Sequence, residues 1–376
     1  MRPALPIVQF QPRDGILDLG WGHPHPDALP VDEWADAYAR ALRRHGPDAL
    51  AYGHSSGPGP LVEWLEDRVG AAGQVFVTAG ASPALELLAT ILIGPGDVVL
   101  VQSPTYHLAL RILGDHAERV VPAPSDEEGV DPAATADLIQ RLRRDGHRVS
   151  ALYLVPLSCN PTGRTIPVAR RTALAEMADR TGICLIEDNT YWELSYDAPP
   201  APWLAGVGEN TVRIGSFSKT VAPGLRLGWL TGRPSLLRTL ADRGYVDSGG
   251  GLNHTTALAM ATFAASGGYD RHVGDLRGRY TNRRDELVAA LGKHLSTSRF
   301  TPPGGGWFLW LRLPDGLDPA VVLPLAEAHG VSFLPGHRFF CGPADMGFVR
   351  LSYSLVDRLD DAARRLATAV ARTARS

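Results

Sequence analysis

From about residue 74 the chain alternates short β-branched runs with longer stretches whose apolar positions recur at helical spacing. "QVFVT" precedes "SPALELLATIL", "DVVLVQ" precedes "TYHLALRIL", and "VSALYLVP" is followed by a helical 166–181 and then by "ICLIED". The runs "VRIGSF" and "LGWLTG" complete the series. Strands bounded by glycine and proline, alternating with helices, predict an α/β domain around a mainly parallel sheet flanked by helices. Such sheets place their chemistry in loops at the carboxyl ends of strands. Near residue 250 the pattern changes. "DSGGGLN" is a glycine-rich break, helical patterns continue to about 294, and the last hundred residues mix strands ("GWFLWLRL", "FVRLSYS") with helices ("PAVVLPLAEAHG", "DDAARRLATAVART"). This is the pattern of a smaller α+β C-terminal domain. We expect an N-terminal segment 1–45 that joins the small domain, a large domain 46–255 and a small domain 256–376, with an active site between them.

Composition narrows the function classes. A net charge of −3 gives no basic field for nucleic acid and no polybasic membrane signal. Cys159, Cys184 and Cys341 are widely spaced, without a CxxC pair or histidines at metal-ligand spacing, so no metal is expected and a reducing cytoplasm suits them. The N-terminus "MRPALPIVQFQPRDG" lacks the apolar core of a signal peptide, and "LELLATILI" is too short for a membrane span and carries Glu86. A soluble, cytoplasmic protein is expected.

Of the 37 basic residues only two are lysines, Lys219 and Lys293. Lys293 sits beside His294 at a helix end and reads as surface. Lys219 lies in "SFSKTVAPGLRLGW", after a predicted strand and between Ser216, Ser218 and Arg226. Arginine cannot replace lysine where the nitrogen must lose its proton and attack a carbonyl, so this lysine is a candidate covalent amine. In "IEDNTYWELSY", Asp188 ends an apolar strand, where an uncompensated carboxylate is costly and demands a cationic partner. That partner is an arginine or the protonated ring nitrogen of a cofactor, and Tyr191 lies three residues on. "PLSCNPTGRT" sets the Asn160 amide at a strand's carboxyl end through a turn, and "TAGASPALELL" places the free N–H groups of a helix start beside Ser82, a ready phosphate site. A phosphate, a basic ring nitrogen and a carbonyl that condenses with lysine together describe pyridoxal 5′-phosphate.

At this point the sequence resembles the fold-type I, class I/II pyridoxal-phosphate aminotransferases, in the branch that includes 2-aminoadipate-type aminotransferases and the effector domains of MocR-type regulators. The segments "AYGHSSGPGPL", "TAGASPALE", "SPTYH", "NPTG", "EDNTYWEL", "SFSKTVAPGLRLGW", "GGGWFLWL" and "VRLSYS" occur in family order over roughly residues 16–370. The resemblance implies a large cofactor-binding domain, a Schiff base at Lys219 and a proton carried by the same amine. It implies that Asp188 pairs with the pyridinium nitrogen, that Asn160 and Tyr191 hydrogen-bond the 3′-oxygen, and that Tyr106 stacks on the ring. Ala81, Ser82, Ser216, Ser218 and Arg226 would hold the phosphate. Tyr52 would reach the phosphate of a neighbouring subunit, which implies a homodimer with shared active sites. Arg350 would grip the substrate α-carboxylate, with the Gly22 backbone approaching it. Val62 and Ala81 depart from the arginine and serine frequent in the family, which blurs the phosphate cup.

The activity so implied is exchange of an amino group between an L-amino acid and a 2-oxo acid, in specialised biosynthesis. A cationic, guanidino-bearing substrate is one expectation, with Asp27 and Asp247 as acidic candidates and His23, His25 and His54 as candidates near the substrate pocket. A lyase, decarboxylase or oxidase of the same fold uses the same residues, because the pocket decides the fate of the carbanion. A non-catalytic effector domain of a regulator is a further alternative; it expects a DNA-binding segment ahead of the fold, which here begins by about residue 16.

Overall fold

Seven strands lie side by side in one sheet, in the order Val75–Thr78, Gly228–Thr231, Thr211–Ser216, Cys184–Asp188, Val149–Leu154, Val98–Val101 and Arg119–Pro122. Strand 228–231 runs antiparallel to both neighbours and the remaining pairs are parallel. The sheet is therefore mainly parallel, as its β-branched runs predict. The edge strand 119–122 did not stand out in the sequence, because it is exposed to half-buried and carries Arg119 and Pro122. The computed structural model describes residues 13–374 apart from 251, 315, 343 and 344. Residues 1–12, which open the expected segment 1–45, and Gly251 of the glycine-rich break lie outside the described residues.

Helices follow the strands where helical spacing predicts them: Ala81–Leu92, His107–Gly114 and Val168–Thr181. Their apolar faces cover the sheet, with Ala84, Leu85 and Leu88 packed with Phe76, Val99 and Ile186 on one side, and Leu174, Ala178 and Leu185 on the other. Beyond the break, Asn253 accepts the Thr256 N–H and starts helix His254–Ala265. The long helix Gly268–His294 then leads to a three-stranded antiparallel sheet, Phe308–Arg312, Phe348–Ser352 and Leu334–Pro335. This part has its own core around Tyr280, Trp307, Leu351 and Leu366. The N-terminal strand Leu17–Asp18 pairs in parallel with Val331–Ser332, which ties residues 17–23 to the C-terminal elements. Among the described residues no helix is long and apolar enough to cross a membrane, and no cluster of side chains suits a metal ion.

Successive residues of a strand face opposite sides, and Glu187 and Asp188 show the consequence. Glu187 is fully buried between Arg171 and Arg213. Arg171 donates from Nε and Nη2 at 3.0 and 2.8 Å, and Arg213 donates from Nε at 2.8 Å. The outer guanidinium nitrogens reach the carbonyls of Pro202 and Val207, so the network is hydrogen-bonded on all sides. Removing its one anion leaves two buried cations facing each other. E187A is expected to cost about 3–5 kcal/mol, measured as a lowered urea midpoint; a change below about 1 kcal/mol would show that the network is not structural.

Candidate active site

A cavity of about 700 Å³ opens where the carboxyl ends of the parallel strands meet the three-stranded sheet and the segment 18–23. Gly22, Ala81, Ser82, Tyr106, Asn160, Asp188, Tyr191, Ser216, Ser218, Lys219, Arg226 and Arg350 all contribute to its wall. Tyr52 does not; its side chain is 87% exposed and lies against Gly249. Of the three histidines, His23 lines the cavity, His25 is held by Asp357 and Arg279, and His54 is exposed elsewhere. Asp27 and Asp247 are likewise exposed and away from the wall, so the acidic residues considered for a cationic substrate are not in the cavity. Lys293 lies on the surface, paired with Asp360.

One end of the cavity is built for an anion. Helix 81–92 starts at Ala81 with Gly80 as its cap, and no side chain accepts from its first N–H groups. The unclaimed N–H groups and the positive end of the helix dipole therefore face the wall formed by Ala81 and Ser82. Arg226 stands beside them in a left-handed conformation (φ 49°), with its Nη1 donating to Pro223 O at 3.0 Å. A Cβ at residue 80 would fall 2.7 Å from Arg226 Nη2, and φ at Gly80 is +115°, so only glycine lets the guanidinium close over the helix start. Ser216 and Ser218 complete this end, with Ser216 Oγ accepting the Ser218 N–H at 3.1 Å.

Asp188, 7% exposed, also lines the cavity. Tyr153 donates to Oδ2 at 2.9 Å, and the Thr190 N–H and hydroxyl donate to Oδ1. Every one of these donors is neutral, in contrast to the two arginines on Glu187. Burial raises the carboxyl pKa, while the Thr190 and Tyr153 hydrogen bonds and the charge of Lys219 oppose the rise. Among the described residues no protein cation is in hydrogen-bond contact with this carboxylate, so a protonated ring nitrogen would fit beside it.

Lys219 extends between Tyr191 and Trp307, its Nζ 5.9 and 4.6 Å from the ring centroids. The amine donates to Gly22 O at 3.2 Å. Burial first, then the nearby Arg350 and Arg226, pull its pKa from 10.5 to about 8, with Asp188 opposing. Phe308 lies so near Gly22 that a Cβ there would approach its ring to 2.6 Å, which explains the glycine.

Arg350 comes from the middle strand of the three-stranded sheet, paired with Trp310 on one side and Leu334 on the other. Its Nη1 donates to Asn160 Oδ1 at 2.8 Å and its Nη2 to Gly20 O. Phe308 and Phe339 flank the guanidinium at 4.0 and 5.0 Å. Nε is buried without a partner, and burial lowers the pKa to about 10. An orphaned N–H on a fixed guanidinium is a ready half of a carboxylate fork. Asn160 spends its oxygen on Arg350, which leaves its NH₂ group for an acceptor in the cavity. Tyr106 and Tyr191 flank this region with neutral phenols. Burial raises both pKa values, that of Tyr106 to about 12.

Several contributors escaped the sequence reading. Tyr153 looks like one more apolar position in "ALYLVP", and only its depth beneath Asp188 gives the hydroxyl a task. Thr190 lies inside the quoted "EDNTY" but carries no signal of its own. Gly20, Trp307, His107 and Arg338 reach the cavity or its lysine from elements distant in the chain.

The donor set fits pyridoxal phosphate on three independent observations: an uncapped helix start beside an arginine, a buried carboxylate with only neutral donors, and a lysine amine of lowered pKa. Comparisons with known proteins agree. Residues 14–366 match the family described as Aminotransferase class I and II. The chain is 31% identical to aromatic-amino-acid aminotransferase 1 of Thermococcus litoralis, over 98% of this chain and 91% of that one. It is 30% identical to 2-aminoadipate transaminase of Thermus thermophilus, over 97% and 92%. The crystal structure of Pyrococcus horikoshii kynurenine aminotransferase in complex with PMP superposes with a TM-score of 0.89 at 29% identity, covering 96% of this chain and 92% of that chain. A likeness that runs through the cavity and nearly the full length of the chain makes this protein a member of the class I and II aminotransferases, a fold-type I transaminase dependent on pyridoxal phosphate.

Proposed function

We propose that Lys219 is the residue that binds the cofactor carbonyl and then moves the proton between the substrate Cα and the cofactor. The observation that carries this reading is a lysine amine of lowered pKa in the same cavity as a buried carboxylate held only by neutral donors. Bound pyridoxal phosphate supplies an electron sink that acidifies the Cα–H of an amino acid. Asp188 keeps the ring nitrogen protonated, and Tyr153 and Thr190 keep Asp188 ionised and aimed. The Asn160 amide and the Tyr191 hydroxyl would hold the ring oxygen of the cofactor, and Tyr106 would pack against its ring. The helix start at Ala81 and Ser82, with Ser216, Ser218 and Arg226, binds the phosphate. Arg350, oriented by Asn160 and Gly20, holds the substrate α-carboxylate, and the Gly22 backbone closes over it. The aromatic rings about Lys219 exclude water from the proton transfer.

The second copy of the chain completes this site in our reading. Leu50, Tyr52 and Tyr245 expose 75%, 87% and 63% of their surface, and residues 50–56 are exposed throughout. Exposed large apolar groups at this density suit a homodimer interface, with Tyr52 reaching the partner's phosphate end. The three cysteines stay free, which suits a reducing cytoplasm; recovery from a membrane or secreted fraction would count against that location.

Three outcomes are expected. Purified protein given the cofactor shows a visible band that an L-amino acid bleaches and a 2-oxo acid restores, and K219A loses both the band and the response. An unaltered band in K219A would remove the lysine from its role. Light scattering returns the mass of two chains, and the mass of one chain overturns the dimer. Because the Lys219 pKa lies at about 8, the free amine is scarce below that pH and abundant above it. The rate at which apoprotein takes up pyridoxal phosphate, followed by absorbance, should therefore rise through about pH 8 and level off well below pH 10.5.

A further inference from the structure

The segment "GGGWFLWL" carries a residue to which the roles above give only the exclusion of water. Trp307 is fully buried immediately ahead of strand 308–312. Its ring lies beneath the amine of Lys219, with Nζ 4.6 Å from the ring centroid, whereas the Tyr191 centroid is 5.9 Å away.

The backbone around the indole and two edge-on neighbours fix its place. A Cβ at Gly305 would run into Leu194 O, and one at Gly306, where φ is +75°, would fall 2.9 Å from Ser158 Cβ, so both positions require glycine. The Gly306 N–H donates to Leu194 O at 2.8 Å. The Tyr196 and Tyr353 hydroxyls donate to Gly306 O, the latter at 3.0 Å, and the Tyr353 N–H donates to Trp307 O at 3.1 Å. Tyr191 and Tyr280 meet the indole edge-on, with centroids at 5.9 and 5.5 Å. These contacts tie the ring to the loop after Asp188 and set the direction of its face.

Packing alone does not account for an indole here. Trp307 Nε1 is buried, and among the described residues no acceptor takes its proton. A buried unpaired N–H is a cost that phenylalanine or leucine would avoid at the same place. What the indole adds beyond its volume is the aromatic face that best attracts a cation. The amine beside it needs such a face. Burial, and then the charges of Arg350 and Arg226, disfavour the ammonium. Asp188 opposes them, but no hydrogen bond or ion pair joins it to Lys219. His23 also lines the cavity; burial and then the charge of Lys219 push its pKa below 6.5, so it is neutral where the amine titrates. The phenols of Tyr106 and Tyr191, whose pKa values burial raises, are neutral as well. An ammonium has three N–H donors, and among the described residues the acceptor for this one is Gly22 O at 3.2 Å.

We propose that Trp307 is a positioning residue for the transaminase reaction: its π face holds the ammonium form of Lys219, the form in which the amine carries the proton between substrate and cofactor. The positive charge is shared between the Gly22 carbonyl and the indole face, and the side chain keeps its place in the cavity whenever it is not bound to the carbonyl. The proposal rests on the assignment of Lys219 to the cofactor carbonyl and to proton transfer.

The test uses the scarcity of lysine. In full-length apoprotein labelled with ¹³C-lysine, the lysine NMR signals come only from Lys219 and Lys293, and K293R identifies the former. Its pH titration reads the amine directly, without turnover. Site-specific replacement of Trp307 by a fluorinated tryptophan keeps the shape of the ring but drains its face, and should lower the Lys219 pKa by about one unit. W307F keeps a weaker face and should give a shift of the same sign and about half the size. If the ring only fills space, fluorination leaves the pKa unchanged, and W307F, by admitting water, raises it toward 10.5. Either result overturns the proposal. If K219A keeps the cofactor band, it is the assignment of Lys219 that fails, and the titration in the apoprotein tells the two failures apart.

Discussion

A carboxylate buried at the end of a strand without a cation in contact is the constraint around which this molecule is arranged. Glu187 and Asp188 are adjacent, yet the pleat sends them to opposite faces of the sheet. On one face the protein itself satisfies the charge, with Arg171 and Arg213 in hydrogen-bond contact. On the other it supplies only hydroxyl and backbone donors. The first arrangement is closed and serves the fold. The second is left open to a positive ligand, because a buried carboxylate gains most from the charge it does not yet have.

The opposite imbalance occurs in the rest of the cavity. Lys219, Arg226 and Arg350 line one cavity; burial lowers the pKa of Lys219 and of Arg350, and the charges of Arg350 and Arg226 lower that of Lys219 further. Burial first, and then the nearby guanidiniums, make the lysine amine available near pH 8, while Arg350 keeps its charge because its intrinsic basicity is so much higher. Two backbone carbonyls ease the crowding: Gly20 O on Arg350 and Gly22 O on Lys219. Both belong to the short segment that Asp18 shapes by accepting the Gly20 N–H, and that pairs with Val331–Ser332. The N-terminal segment thus acts as a lining for cations, and its attachment to the C-terminal elements brings those elements to the site.

Much of this was legible in the primary structure, and the reason is local. β-branched runs followed by helical spacing gave the sheet and its helices, since both periodicities arise within a few neighbouring residues. Lys219 stood out because arginine fills nearly every other basic position, and Asp188, Asn160 and Ser82 each follow a recognisable strand within a few residues. The edge strand 119–122 was missed for an equally local reason, since its exposed and charged residues carry no core pattern.

Residue types and their order along the chain decided which chemistry was possible: a Schiff-base lysine, a carboxylate for a ring nitrogen and a helix start for phosphate. Tertiary structure alone decided which charges were left unpaired. Tyr153 became the partner of Asp188, Asn160 turned its oxygen to Arg350, and Arg13 was taken up by Asp18 and Glu327. Pairing depends on distances between residues hundreds of positions apart, and burial fixes what an unpaired charge is worth. Neither quantity is written in any short stretch of sequence, and together they set which ligand the cavity admits.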